Sequence, residues 1–415
     1  MKSWKWKLIV SGPLLVSLLV LIVAHPGAVP QRNSGENKTP RYGDTVDPYE
    51  VVPNWPQPLY PDGSLTWGRV GAVYAESPNR VYLFQTGMLP PAWLNEKDPD
   101  APNFPRRGSQ SAGNCAASGN SVPGNDTAMC YKGKPIPGAR WEHVVMVVDA
   151  NGKLVESWEQ HNKLFWHPHG INMDPNDPEH HVWVTDDNKE QIYKFTHDGK
   201  KLVMTVGDFR EGGSGAHGKG LHKSADQSHL GGPNGIAFLP NGDFLVSDGY
   251  QNSRVVKFSK DGKFLMDFGK KGNKPGEFNT THSVEVDANG KIYVGDRGNF
   301  RIQIFDKDGK YLSEINGVYP NALAVSKDQR YLYVSQGGAN AAPEIRTYDL
   351  PGIKLLRSWG RPYGAHLDQL WSTHDFSLDS EGNLYFAQAY GGGAWKYRLK
   401  KGADPIFSPF QKNSF

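Results

Sequence analysis

A chain of 415 residues with 38% hydrophobic content is long enough for one large domain or two ordinary ones, and apolar enough to build a real core. Its formal charge is +3, and three leader lysines account for that excess, so the rest is near neutral and lacks the basic surplus that nucleic-acid binding needs. Aromatic content of 12%, with 47 Gly and 30 Pro, favours short strands and many turns over long helices.

The first residues form a leader. Lys2, Lys5 and Lys7 precede an apolar run over residues 8–24, a basic region followed by a hydrophobic one. The run sits at the lower limit for a membrane span. It is read either as an export signal ending near residue 28 or as an uncleaved membrane anchor, and both place the rest of the chain outside the cytoplasm. Residues 29–60 follow as a Pro-rich arm or linker, with Pro30, Pro40, Pro48, Pro53, Pro56 and Pro58.

From residue 61 to the end a repeat takes over. Its units are alternating strands joined at Asn-Gly or Asp-Gly, as in Gly235-Ile-Ala-Phe-Leu-Pro-Asn-Gly-Asp-Phe-Leu-Val-Ser-Asp. Six units are predicted, with inner strands opening near Gly71, His169, Asn234, His282, Asn321 and His374. Small antiparallel meanders repeated at this length stack as blades, so the fold class expected is all-β, a six-bladed β-propeller. The last unit lacks an outer strand, which the arm before Gly71 is expected to supply. Unit one carries an insertion, residues 88–140, that is either a lid over the channel or a surface loop. The chain's two cysteines, Cys115 and Cys130, lie within it; in an exported protein they are expected to form a disulfide contributing about 3 kcal/mol.

The alternation of the inner-strand openings carries the chemistry. His169, His282 and His374 occupy one position in every second unit, while Asn234 and Asn321 hold it between them. In a closed ring, alternate blades aim three imidazoles at one axis. Three His with an open position is a catalytic zinc pattern, although iron, cobalt and copper accept the same ligands. His167 is an alternative to His169. A second group, His217, His222 and His229, lies in a Gly/Lys-rich loop and reads as solvated surface.

With their Asp-Gly, Asn-x-Arg and trailing aromatic residues, the units resemble NHL repeats. Three stretches are more specific: Val246-Ser-Asp-Gly-Tyr-Gln-Asn-Ser-Arg-Val-Val-Lys-Phe, Pro275-Gly-Glu-Phe-Asn-Thr-Thr-His-Ser and Gly295-Asp-Arg-Gly-Asn-Phe-Arg-Ile-Gln-Ile-Phe. With Pro168-His-Gly and His374-Asp-Phe, they resemble the peptidyl-α-hydroxyglycine α-amidating lyases (peptidylamidoglycolate lyases) from about Trp67 to Tyr397, apart from the insertion. The resemblance implies zinc on His169, His282 and His374. It also implies a structural calcium held by the carbonyls of Val73 and Ile171 and by Asp375, oxygen donors that suit that ion. Tyr250 is implied as catalytic base, its phenol acidified by the neighbouring zinc, and Arg297 as the cation facing the reacting group. Arg254 and Arg301 fill the repeat's Asn-x-Arg slot and are expected to be structural.

The chain departs from the family at two points. Thr86 stands where the family has a second active-site Arg, so the insertion's Arg106, Arg107 or Arg140 replaces it, or the substrate differs, or activity is weak. Gln251 stands where the family has Cys. The reaction implied is cleavage of a peptide or acyl α-hydroxyglycine to an amide and glyoxylate, with a separate protein as the hydroxylating partner. The rival expectations are a non-catalytic NHL propeller that binds a peptide, glycan or protein, and a calcium-dependent propeller hydrolase or lactonase.

Overall fold

The computed structural model describes residues 47–95, 112–115, 128–131, 134–208, 226–338, 340–364, 369–389 and 393–403. The leader, most of the arm, His217, His222, Arg106 and Arg107 lie outside them. Among the described residues no helix is long and apolar enough to cross a membrane.

Six four-stranded antiparallel sheets form the blades of a propeller. Their innermost strands are Val70–Ser77, Pro168–Met173, Pro233–Phe238, Thr281–Val286, Pro320–Val325 and Thr373–Leu378. These strands pack in cyclic order, and the sixth returns to the first. Each later strand follows from the turn chemistry before it. Gly242, in Pro-Asn-Gly-Asp, takes φ +84°, and Gly290, in Ala-Asn-Gly-Lys, takes φ +77°, a left-handed backbone that a side chain would strain.

Burial along a blade follows distance from the axis. Second strands such as Phe244–Asp248 and Ile292–Asp296 are buried at every residue, because both faces meet a neighbouring blade. Outer strands alternate, and their outward faces carry exposed Val155, Val203, Leu265 and Leu312. Each seam between blades has its own apolar cluster. Trp183, Ile236 and Phe244 fill the seam of the second and third blades, and Leu245, Val284 and Ile292 the next.

The sixth sheet takes its outer strand from Tyr49–Val51, inside the segment read as an arm, paired with Ala394–Leu399. An N-terminal strand thereby completes the C-terminal blade and leaves the ring without a loose end. Tyr49 is buried, its ring centroid 4.9 Å from that of Trp359. In the insertion, Cys115 and Cys130 are joined as a disulfide. Trp93, Met129, Ile136 and Ala139 pack into the same cluster as Tyr82, Phe84 and Trp141, so this part of the insertion is anchored on the first blades.

Candidate metal centre

The six axial residues, Gly71, His169, Asn234, His282, Asn321 and His374, are each the second residue of an innermost strand. Each falls at a break in register. The ladder pairs Pro168 with Asp186 and then Gly170 with Thr185, skipping His169. It skips His282 between Thr281 and Ser283, and His374 between Thr373 and Asp375. A bulge leaves its extra residue unpaired and re-aims its side chain, which here turns toward the axis.

The alternation of His with other residues has a hydrogen-bonding cause. His169 Nδ1 lies 3.2 Å from the Asn234 carbonyl oxygen, His282 Nδ1 2.7 Å from that of Asn321, and His374 Nδ1 2.7 Å from that of Gly71. Each imidazole thus leans on the axial residue of the next blade. A carbonyl only accepts, so each ring carries its proton on Nδ1 and presents the Nε2 lone pair. The Asn residues clamp onward in turn. Asn234 Nδ2 donates to the Thr281 carbonyl (2.9 Å), and Asn321 Nδ2 to those of Gly337 (3.0 Å) and Thr373 (3.2 Å).

The three imidazoles are buried, with ring centroids 4.7–5.0 Å apart. They offer ligand atoms that all lie within 4.8 Å of one another. Burial first, and then the positive charge of their neighbours, hold all three well below the usual histidine range, so they are neutral near pH 7. His167 does not join them: its Nδ1 lies 2.6 Å from Asp187 Oδ1, in a buried pair.

Tyr250 Oη lies 3.0 Å from the Nε2 of both His169 and His282. A phenol has one proton and both nitrogens are acceptors, so one contact has no hydrogen in it. Three converging lone pairs with fewer protons to fill them is a donor set that fits a cation, and neutral imidazoles suit zinc. Burial raises the Tyr250 pKa in this structure, against the opposing pull of Arg297 and Arg69. The acidification expected of Tyr250 therefore needs a charge beyond those of the protein.

Arg297 opens the short turn after the second strand of the fourth blade. Its Nη2 donates to Tyr250 Oη (3.5 Å) and its Nη1 to Asn321 Oδ1 (3.4 Å). Beside the ring, a cavity enclosing about 440 Å³ of empty space, part of it open to solvent, is lined by the three His and by Asn172, Glu285 and Asp375. Asp375 Oδ2 accepts from the Val73 N–H (3.2 Å), and Val73 and Ile171 are buried on the adjoining strands. Of the residues read as calcium ligands, Asp375 is the one that lines this cavity.

Sequence reasoning missed Arg69. The residue is 2% exposed, with Nη1 donating to the Pro168 carbonyl (2.6 Å) and Nη2 to His374 Nε2 (3.3 Å). Thr86, the departure from the family pattern, holds it. The Arg69 N–H donates to Thr86 Oγ1 (3.0 Å), and the Thr86 N–H to the Arg69 carbonyl (2.9 Å). Of the cations expected from the insertion, Arg140 is instead directed to Tyr60 and Glu142, with its side chain 55% exposed. Arg254 and Arg301 are structural. Each joins the Asp that ends the preceding strand, Asp248 at 2.9 Å and Asp296 at 2.8 Å, to an outer-strand acid and a loop carbonyl.

A family model described as a 6-bladed beta-propeller matches residues 224–348. The probable peptidyl-alpha-hydroxyglycine alpha-amidating lyase of Caenorhabditis elegans is 31% identical over 166 residues, 39% of this chain and 43% of that protein. This chain is a six-bladed propeller similar to the amidating lyases. The propeller also aligns with the peptidyl-glycine alpha-amidating monooxygenase of Mus musculus, 29% identical over 301 residues, which are 68% of this chain and 28% of that protein. The chain therefore spans little more than a quarter of that longer relative. NHL repeat-containing protein 3 of Homo sapiens is 32% identical over 210 residues, 48% of this chain and 57% of that protein.

Proposed function

We propose that the propeller is a zinc-dependent lyase that cleaves a C-terminal α-hydroxyglycine to an amide and glyoxylate. The observation that carries this is the convergence of three neutral, Nδ1-anchored imidazoles on one point, two of them, His169 and His282, in contact with the Tyr250 phenol. His169, His282 and His374 are the zinc ligands. Bound there, the ion supplies a Lewis acid that makes an adjacent hydroxyl easier to deprotonate. Asp375 and the carbonyls of Val73 and Ile171 are the proposed calcium ligands.

Tyr250 Oη is the group placed to take the carbinol proton. As that proton leaves, the carbinol oxygen forms the glyoxylate carbonyl and the carbon–nitrogen bond breaks. The bonding pair goes to nitrogen, which takes a proton back to become the amide. No water is added and no redox partner enters. Arg297 lies against the Tyr250 hydroxyl, where a guanidinium steadies a developing phenolate or oxyanion. The α-hydroxyl comes from a separate hydroxylating protein, and the leader and disulfide support export from the cytoplasm or attachment to the membrane.

The test is glyoxylate release from N-benzoyl-α-hydroxyglycine by the zinc- and calcium-loaded chain, above the spontaneous rate. Tyr250→Phe is expected to lower kcat roughly 100- to 10,000-fold, the range for a lost general base. No release from folded, metal-loaded protein would sink the lyase proposal. It would leave the non-catalytic binding propeller, for which the likeness to an NHL repeat-containing protein speaks.

A further inference from the structure

We propose that Arg69 is a specificity-determining residue, which captures the carboxylate of the bound glycine-like end from the His374 side of the centre. The inference rests on the lyase reading for its ligand and on this chain's own geometry for its residue. In the third and fifth blades the axial Asn bonds the carbonyl just before the next His, Thr281 and Thr373. In the first blade the axial residue is Gly71, and Arg69 Nη1 makes the equivalent bond to Pro168, just before His169. A Cβ on Gly71 would lie 3.0 Å from Nη1 and 2.5 Å from the Pro168 oxygen, so the guanidinium fills the space that a side chain at 71 would take.

That clamp needs one neutral N–H, as the two Asn show. Arg69 brings a full charge and a second nitrogen, and that nitrogen meets Nε2 of His374, the lone pair a metal ion takes. A lone pair shared with a cation accepts no hydrogen bond, so metal loading turns Nη2 toward another acceptor. A guanidinium fork fits a carboxylate with two parallel bonds. Arg297 approaches the same centre through Tyr250. Two guanidiniums around three neutral imidazoles favour an anionic ligand. The Thr86 hydroxyl and N–H fix the Arg69 backbone, so the residue standing where an Arg was expected holds a cation in place from the start of the blade.

The test is calorimetric titration of the zinc- and calcium-loaded full chain with N-benzoylglycine, which lacks the hydroxyl and is not cleaved, and with N-benzoylglycinamide. The native chain is expected to prefer the carboxylate. Arg69→Gln is expected to lose roughly 10- to 100-fold in affinity for N-benzoylglycine, and to bind the carboxamide within about threefold of native. Arg69→Lys, which keeps the charge and loses the fork, is expected to fall between. Zinc content is measured on each variant, and Arg69→Lys decides the matter if Arg69→Gln does not fold. An unchanged preference in the variants, an equal loss for both ligands with zinc retained, or a native chain that does not distinguish them would overturn the proposal. Native binding of N-benzoylglycine that depends on Arg69, without glyoxylate release, would sink the lyase reading and leave Arg69 as a carboxylate-capturing residue.

Discussion

Thr86 and Arg69 exchange a hydroxyl and two backbone groups in a fully buried setting, so the hydroxyl has a structural duty of its own. Thr86→Val keeps the shape and leaves the Arg69 N–H without that acceptor. It should cost about 1–3 kcal/mol in chemical denaturation, and a change under about 0.5 kcal/mol would show the bond to be dispensable. Thr86 stood out in the sequence because an Arg was expected there. Arg69 did not, because its partners, Pro168 and His374, are 99 and 305 residues away and meet it only in the closed ring. The imidazoles carry a second consequence. Buried and held below the ordinary range, they refuse protons that the unfolded chain accepts below about pH 6.5. Metal-stripped protein should therefore be most stable above that pH and lose stability as pH falls, with a slope of up to about 4 kcal/mol per unit for three sites. Denaturation midpoints at pH 7 and pH 5.5 check this, and His282→Asn should make the slope shallower.

Bulges at the second residue of the innermost strands turn a period-two ladder into a ring of axial side chains. The repeat made the blades legible, since Asn-Gly and Asp-Gly turns mark strand ends locally, and the phase of the three His followed from it. The bulges and the lean of each Nδ1 on the next blade's carbonyl were not legible, because both depend on how separate sheets meet. Gly249 shows how tightly this is drawn: a Cβ there would fall 1.8 Å from the Thr281 oxygen, one residue before His282. Gly249→Ala must push Tyr250 from its place, and should lower kcat about 100-fold while the protein stays folded. Unchanged turnover would mean that the position of Tyr250 is not critical. The outer strand Tyr49–Val51 was expected from the short last unit. Tyr49→Ala removes an aromatic buried against Trp359 and should cost about 3–5 kcal/mol in denaturation.

Closing six blades into one ring is what brings residues as distant as Arg69 and His374 within hydrogen-bond reach, and the ring is held shut by a strand from the chain's beginning. The site is therefore a property of the closed propeller: no single blade supplies two of its imidazoles. Its core, three His with Tyr250 and Arg297, could be picked from the sequence through the register of the repeats and a family resemblance. The placing of Arg69 and the anchoring of each imidazole on the next blade's carbonyl emerge only in the closed ring. The proposed chemistry requires that those three Nε2 atoms take an ion. Elemental analysis of the purified full chain after dialysis against excess zinc, then against buffer, reads this directly. Close to one zinc per chain, absent from His282→Ala while that variant stays folded, is the expected result. Zinc retained equally by His282→Ala, or none held by the native chain, would contradict it.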